Sequence, residues 1–458
     1  MPHAIAPSSE AEAFLAANPD LVSVDLLLPD QHGVLRGKRI TAQELLKVYE
    51  QGLYLPGSVF ALDINGNTVE STGIGFDTGD CDQPCRVIPH TLTMVPWQNK
   101  PVAQCLIAME QTPGEAYFAN PRHVLDRICD QYQSQGLTPM VAVELEFYLT
   151  DAKRLKSGLL QPPIAPITGL RESDTQVYAV DNLDDYSALL DDIVLAAQGQ
   201  NIPASTAVAE YAPGQFEINL QHVADPVLAC DQAILLKRII KSVSRKHGFG
   251  ATFMAKPYAD QAGSGMHIHM SLLDDSATNV FACDQKNQPN AMLGKALAGL
   301  QATMADTMAL LCPKVNSYRR FQPGFFVAMA PTWGVDNRTV ALRIPNGSGA
   351  ATRIEHRVAG ADANPYLAMA ALLSGALHGI NNDLDLGPQT TGNGAEKTTS
   401  SLPLNWVDAY GILAKSKFAA NAFGADFLWV YVQVQQQEYT EFNRHVSSLE
   451  IDWYRRTL

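Results

Sequence analysis

Five segments of this chain alternate apolar and polar residues at a period of two, and their polar faces carry charge. In Met140–Leu149, Val141, Val143, Leu145 and Phe147 fall on one face and Glu144 and Glu146 on the other. Phe216–Leu220 sets Glu217 and Asn219 against Phe216, Ile218 and Leu220. Gly265–Leu272 sets His267, His269 and Ser271 against Met266, Ile268, Met270 and Leu272. Thr339–Ile344 places Arg343 opposite Val340, Leu342 and Ile344, and Thr352–Val358 places Arg353, Glu355 and Arg357 opposite Ile354, His356 and Val358. A solvated antiparallel sheet also alternates. It would fill its wet face with lysine, serine and threonine, whereas here carboxylates arrive in i,i+2 pairs beside imidazoles. Glycines precede two of the strands, at Pro213-Gly214 and Gly263-Ser264-Gly265. Clustered carboxylates repel one another unless cations sit among them. Oxygen donors with an imidazole favour Mg²⁺ or Mn²⁺ over zinc, and nearby arginines suit a transferring phosphoryl group. No Walker A or Rossmann glycine motif follows a strand, so the nucleotide is held by other means.

The remainder of the chain bounds this reading. Its 458 residues exceed one ordinary core, so two domains are expected, 1–112 and 113–458. Hydrophobic residues at 46% and charged residues at 17% belong to a globular enzyme rather than a disordered chain. A net charge of −14 without a basic run argues against nucleic acid as partner. Met1–Pro19 lacks a basic segment followed by an apolar one, and no apolar run is long enough to span a bilayer, so no leader and no membrane partner are expected. Ala368–Ala376 reads instead as a packed core helix. Seven scattered cysteines fit a reducing cytoplasm, with Cys81 and Cys85 too few for a zinc site.

The first domain reads as small and α+β. Leu21–Leu28 is strand material, Asp30–Gly37 a turn with a basic tail, Thr41–Gln51 a helix, and Ser58–Asp63 a strand before the Asn65-Gly66 turn. Asn120-Pro121 opens a helix over Arg122–Gln135 that Gly136 stops. Gly387–Ser401 reads as a mobile loop.

At the charged strands the sequence resembles the glutamine synthetase superfamily. The markers are Val143-Glu144-Leu145-Glu146-Phe147, Glu210-Tyr211-Ala212-Pro213-Gly214-Gln215-Phe216-Glu217, and Gly263 through His269. Asn316-Ser317-Tyr318-Arg319-Arg320, Asp336-Asn337-Arg338-Thr339, and Arg353-Ile354-Glu355-His356-Arg357 follow in the family's order, before Ala363-Asn364-Pro365-Tyr366-Leu367. The resemblance implies an α+β fold, with an N-terminal β-grasp domain and a catalytic domain of curved antiparallel sheet and flanking helices. It also implies a homododecamer of two hexameric rings with active sites shared between subunits.

Carried over by position, Glu146, Glu210 and Glu217 would hold one divalent ion, and Glu144, His267 and Glu355 a second. Arg320 and Arg357 would clamp glutamate and its γ-phosphoryl group, and Arg338, Arg343 and Arg353 would meet the ATP phosphates. His269 and Ser271 would lie along the nucleotide, and Gly263 would let the backbone approach glutamate. The implied reaction is ATP-dependent ligation of the glutamate γ-carboxylate to an amine through γ-glutamyl phosphate. Glu210 or Asp63, the latter from a neighbouring subunit, would take the amine's proton. Tyr178 is a further candidate for the substrate pocket.

Departures from the family pattern point away from ammonia. Phe326, in Pro323-Gly324-Phe325-Phe326, stands where ammonia-using members have a glutamate that closes over the site. Ala262 replaces a usual asparagine, Phe60 through Gly66 departs from the usual first-domain loop, and no tyrosine lies in Asn382–Gly387 for adenylylation. These features, with Thr332 through Thr339, resemble the γ-glutamylpolyamine synthetase branch, which acts in polyamine catabolism. An ammonia-dependent glutamine synthetase and a ligase for another amine such as ethanolamine stand as alternatives. So do a guanidino kinase and, in a different class, a catalytically silent relative.

Overall fold

The computed structural model describes residues 5–173, 177–283, 288–322, 324–347, 349–396 and 402–458. Among these residues the strands form two sheets. The first takes its strands from the first 116 residues: β1 (Ser23–Pro29), β2 (Leu35–Thr41), β3 (Leu53–Pro56), β4 (Asp82–Val87), β5 (Thr93–Met94), β6 (Val102–Thr112) and β7 (Glu115–Ala116). The order is β2-β1-β6-β4-β3, with β1 and β6 parallel and β5 and β7 attached to β6. Helix Leu45–Gln51 buries Leu45, Val48 and Tyr49 in the core of this sheet.

The second sheet contains β8 (Thr138–Asp151), β9 (Ala204–Ala209), β10 (Gln215–Leu220), β11 (Phe249–Thr252), β12 (Met266–Leu273), β13 (Trp333–Val335), β14 (Leu342–Ile344) and β15 (Ile354–His356). Its order is β13-β14-β15-β12-β8-β10-β9, with β11 on β8. This α+β arrangement matches the expected class. The apolar face of β8, with Val141, Val143, Leu145, Phe147 and Leu149 fully buried, packs on helices Pro121–Gln133 and Pro226–Lys246. Helix Pro365–Asn381 is buried along nearly its whole length and crosses Ala291–Leu311. At that crossing a Cβ on Gly379 would stand 2.0 Å from Lys295 O, so only glycine permits this approach.

One device starts three of these helices. Asn120, Asp225 and Asn364 each accept backbone N–H bonds from the first helical turn, and each precedes a proline at the first helical position. Asn364 also ties its helix to the turn after β1, since its Nδ2 donates to Asp30 O (2.9 Å) and Gln31 O (3.2 Å). A second tie is ionic. Lys314 Nζ pairs with Glu438 and donates to His32 Nδ1 (3.0 Å), and burial pushes the His32 ring well below its ordinary pKa. Glu438 in turn accepts from Ile64 N (2.7 Å).

Several local expectations need correction. Ser58–Asp63 is not a strand: Gly57–Ala61 forms a 3-10 turn that buries Phe60 and Ala61. Asp63 then closes the turn, its Oδ1 accepting from Asn65 N (2.9 Å) and Asn67 N (2.8 Å). The turn at Asp30 ends at Gly33, and the end of the expected Asp30–Gly37 turn, with its basic Arg36, belongs to strand β2. β14 and β15 are shorter than their alternating patterns. Asn337 Oδ1 accepts from Thr339 N (2.9 Å) and Oγ1 (2.6 Å), and Asn279 Nδ2 donates to Thr352 O (2.8 Å), in competition with the ladder. Residues 387–394 are docked rather than loose, through Trp333 Nε1 to Gly387 O (2.9 Å), Asn337 Nδ2 to Gly392 O (2.9 Å) and Gly394 N to Thr339 Oγ1 (2.7 Å). The end of that loop, residues 397–401, lies outside the described residues. Cys85 is buried, Cys81 is exposed, and no metal-ligating group among the described residues includes either.

Candidate active site

Register brings the charged residues together. Across the antiparallel ladders Glu144 stands opposite His267 on β12 and Asn219 on β10, Glu146 opposite Glu217, and His269 opposite Glu355, which itself faces Arg343 on β14. Since every strand alternates, pairing in this register puts all these side chains on one face. They line one cavity of about 870 Å³. Of the residues expected from sequence, Glu144, Glu146, Glu210, Glu217, His267, His269, Glu355, Gly263, Arg320, Arg338, Arg343, Arg353, Arg357, Tyr178 and Phe326 all line it. Two do not. Ser271 shares the face of His267 and His269 but is buried and does not line the cavity, and Asp63 lies in the turn it closes on Asn65 and Asn67.

Glu144 is the hub. It meets His269 Nε2 at 2.8 Å and His267 Nδ1 at 3.3 Å. Burial would raise its pKa, but these two contacts outweigh burial and hold it well below the usual carboxylate range. Arg353 Nε donates to His269 Nδ1 (3.1 Å), so Nε2 carries the proton given to Glu144. Glu355 is buried too, yet Arg357, His267, His269 and Arg343 bring it down to about 2. Glu146 accepts from Gly265 N (2.8 Å) and Gln215 Nε2 (3.3 Å).

The other two carboxylates behave oppositely. Burial and the neighbouring Glu146 carboxylate push Glu210 up to about 7. Burial, then Glu144, Glu146 and Glu210, push Glu217 up to about 9. Carboxylates that take protons this readily are a cluster short of positive charge. Two sets of donor atoms lie within 4.8 Å of one another: Glu144 with Glu217 and His267, and Glu144 with His269 and Glu355. The six ligands expected from sequence thus share one floor, but their donor atoms are grouped differently, with Glu144 common to both sets. Glu146 and Glu210 stand beside the sets, Glu146 being 3.8 Å from His267 Nε2. Oxygen donors with one imidazole fit a hard divalent cation.

The arginines form the wall. Arg343 bridges Glu355 (2.9 Å) and Asp336 (2.7 Å), and Arg357 pairs with Glu355. The terminal nitrogens of Arg320 donate to Val358 O (2.5 Å) and Ala359 O (3.2 Å). Nε of Arg320, Arg343 and Arg357 is buried without a hydrogen-bond partner among the described residues. At Gly263 a Cβ would meet Arg320 Cγ at 2.6 Å and Ala255 O at 2.9 Å, so the backbone itself forms this stretch of lining.

Sequence reasoning missed part of the opposite rim. Tyr211 packs against Phe326 with ring centroids 5.7 Å apart, and Phe325 and Asp260 also line the cavity. Tyr211 stands beside Glu210 in a motif already singled out, and that adjacency was the available signal.

This chain belongs to the glutamine synthetase family. Residues 118–454 match the model for the glutamine synthetase catalytic domain. The chain is 46% identical over 446 residues to the gamma-glutamylputrescine synthetase of Escherichia coli, covering 97% of this chain and 94% of that one. It is 33% identical over 434 residues to the glutamate–isopropylamine ligase of a Pseudomonas species, covering 93% of each. Among solved structures, GmaS without ligand superposes with a TM-score of 0.83 at 25% identity, over 97% of this chain and 98% of that one.

Proposed function

We propose that this protein joins the γ-carboxylate of glutamate to a primary amine with ATP, through γ-glutamyl phosphate, and that its amine is putrescine or a related polyamine. The carrying observation is the pairing of a complete ligase floor with an aromatic mouth: all six candidate metal ligands line a cavity whose rim holds Phe326 and Tyr211. Such a rim offers apolar contact to the carbon stem of an alkylamine that an ammonium ion does not have. The 46% identity to a gamma-glutamylputrescine synthetase supports the same amine.

Glu144, Glu217, His267 and Glu355, with Glu146 and Glu210 beside them, would hold two divalent ions, Mg²⁺ or Mn²⁺. Bound there, the ions supply positive charge for the phosphate oxygens. Arg338, Arg343 and Arg353 orient the ATP phosphates, with His269 alongside, and Arg320 and Arg357 hold glutamate and its γ-phosphoryl oxygens. Glu210 takes the proton from the alkylammonium, and the neutral amine so formed attacks the γ-glutamyl phosphate carbonyl. Asp63 lies outside the cavity of its own chain, so any share it has in proton removal falls at the cavity of an adjacent subunit. Assembly as two stacked hexamers in the cytoplasm completes the proposal. No helix among the described residues is long and apolar enough to cross a membrane.

The test is to incubate the protein with ATP, Mg²⁺, glutamate and a panel of amines and to weigh the products. γ-Glutamylputrescine should dominate. Glutamine formed from ammonia at comparable efficiency overturns the polyamine assignment, and absence of turnover with every amine favours a silent relative.

A further inference from the structure

The cavity mouth is more aromatic than ligation itself requires. Tyr178, Tyr211 and Phe326 are 55%, 41% and 50% exposed, yet all three line the same cavity. None is part of a strand or helix. Tyr178 sits at φ +62°, Tyr211 in the turn between β9 and β10, and Phe326 just beyond Gly324 at φ +87°. Holding large rings in water on irregular backbone costs hydration and entropy that the reaction at the floor does not recover.

Aromatic faces attract cations, tyrosine more than phenylalanine, and an alkylammonium adds apolar contact along its stem. The same loop already shows the interaction, for Lys256 Nζ stands 3.7 Å from the centroid of Phe325. Among the described residues no lysine or arginine stands over Tyr178, Tyr211 or Phe326 in that way. Asp260, an exposed carboxylate on the cavity lining, adds negative potential at the rim. A diamine has two ends with different needs. One must be neutral at the floor beside Glu210, and the other remains charged outside it.

We infer that Tyr211 and Phe326, faced by Tyr178, form a clamp for the distal ammonium and methylene stem of the amine substrate, so that the mouth selects diamines over monoamines of equal length. This rests on the amine-ligase reading above and adds the residues that read the far end. They are specificity residues, because the reacting nitrogen lies one stem length away. The mouth therefore sets the ratio between amines, and the floor sets the common rate.

The experiment uses the full chain with ATP, glutamate and Mg²⁺, and compares kcat/KM for putrescine and n-butylamine. The native protein should prefer putrescine. Tyr211→Leu should lower the putrescine-to-butylamine ratio about 10-fold, mainly through the KM for putrescine, while Tyr211→Phe keeps most of it. Phe326→Leu should shift the ratio in the same direction by less. Equal losses with both amines, including complete loss with both, overturn the clamp while leaving the ligase reading intact. If native protein ligates other amines but neither of these, the amine assignment itself falls, and the clamp with it.

Discussion

At the floor of the cavity Glu144 is fixed by ladder partners on both sides, His267 on β12 and Asn219 on β10, and by two imidazoles within 3.3 Å. At the mouth, Tyr178, Tyr211 and Phe326 come from segments with no ladder at all and stand half in solvent. Strand register positions side chains to within a fraction of an ångström and tolerates no slip, which suits groups that must meet cations and a transferring phosphoryl group. Loops permit change without disturbing the sheet, which suits groups that choose among amines. On the proposed reading, exchange of the rim alone would let the same floor serve a different amine.

The strongest test of the division is at the hub. Glu144→Gln should reduce turnover with every amine by on the order of 1,000-fold, since it removes charge shared by both donor sets. Initial rates with putrescine, butylamine and ammonia should fall together. A loss confined to one amine would mean that the floor also reads the acceptor. A smaller effect of the opposite kind is expected at the rim. Phe326→Glu should raise the ammonia-to-putrescine ratio of kcat/KM by about 10-fold and leave the ATP requirement in place. An unchanged ratio would assign the discrimination to another position.

The smallest effect is on stability. Glu217 has its pKa raised from 4.5 to about 9 in the fold, so between those values the folded chain keeps a proton that the unfolded chain has released. Its contribution is present below about pH 4.5 and is lost as pH rises toward 9. In chelator, Tm should decline by a few degrees from about pH 5 to about pH 9. Mn²⁺ should restore most of the decline at the alkaline end, and Glu217→Gln should flatten it. A metal-free Tm that rises over this range would contradict the assignment.

The floor was legible in the sequence because alternation with charge is a local pattern, and the strands that carry it pair in register. β8, β10 and β12 formed as their periodicity indicates, and Asn120-Pro121 and Gly136 bounded their helix within two residues. What failed had non-local causes. Ser58–Asp63 reads as a strand from composition, but Phe60 and Ala61 are buried by a 3-10 turn that composition does not distinguish from extended chain. β14 and β15 were overextended because side-chain bonds from Asn337 and Asn279 displaced the ladder. The division of the donor atoms into two sets depends on side-chain rotamers, which periodicity leaves free. Tyr211 went unassigned because its role depends on meeting Phe326, more than a hundred residues along the chain.

The tie made by His32, Lys314 and Glu438 bears on how this molecule can be dissected. Lys314 lies six residues before Arg320, so an arginine of the cavity wall hangs from a peg whose socket belongs partly to His32, in the turn after β1. Asn364 grips the same stretch through Asp30 and Gln31. A fragment trimmed to residues 118–454 would keep every carboxylate of the floor and lose the counterweight that steadies its wall.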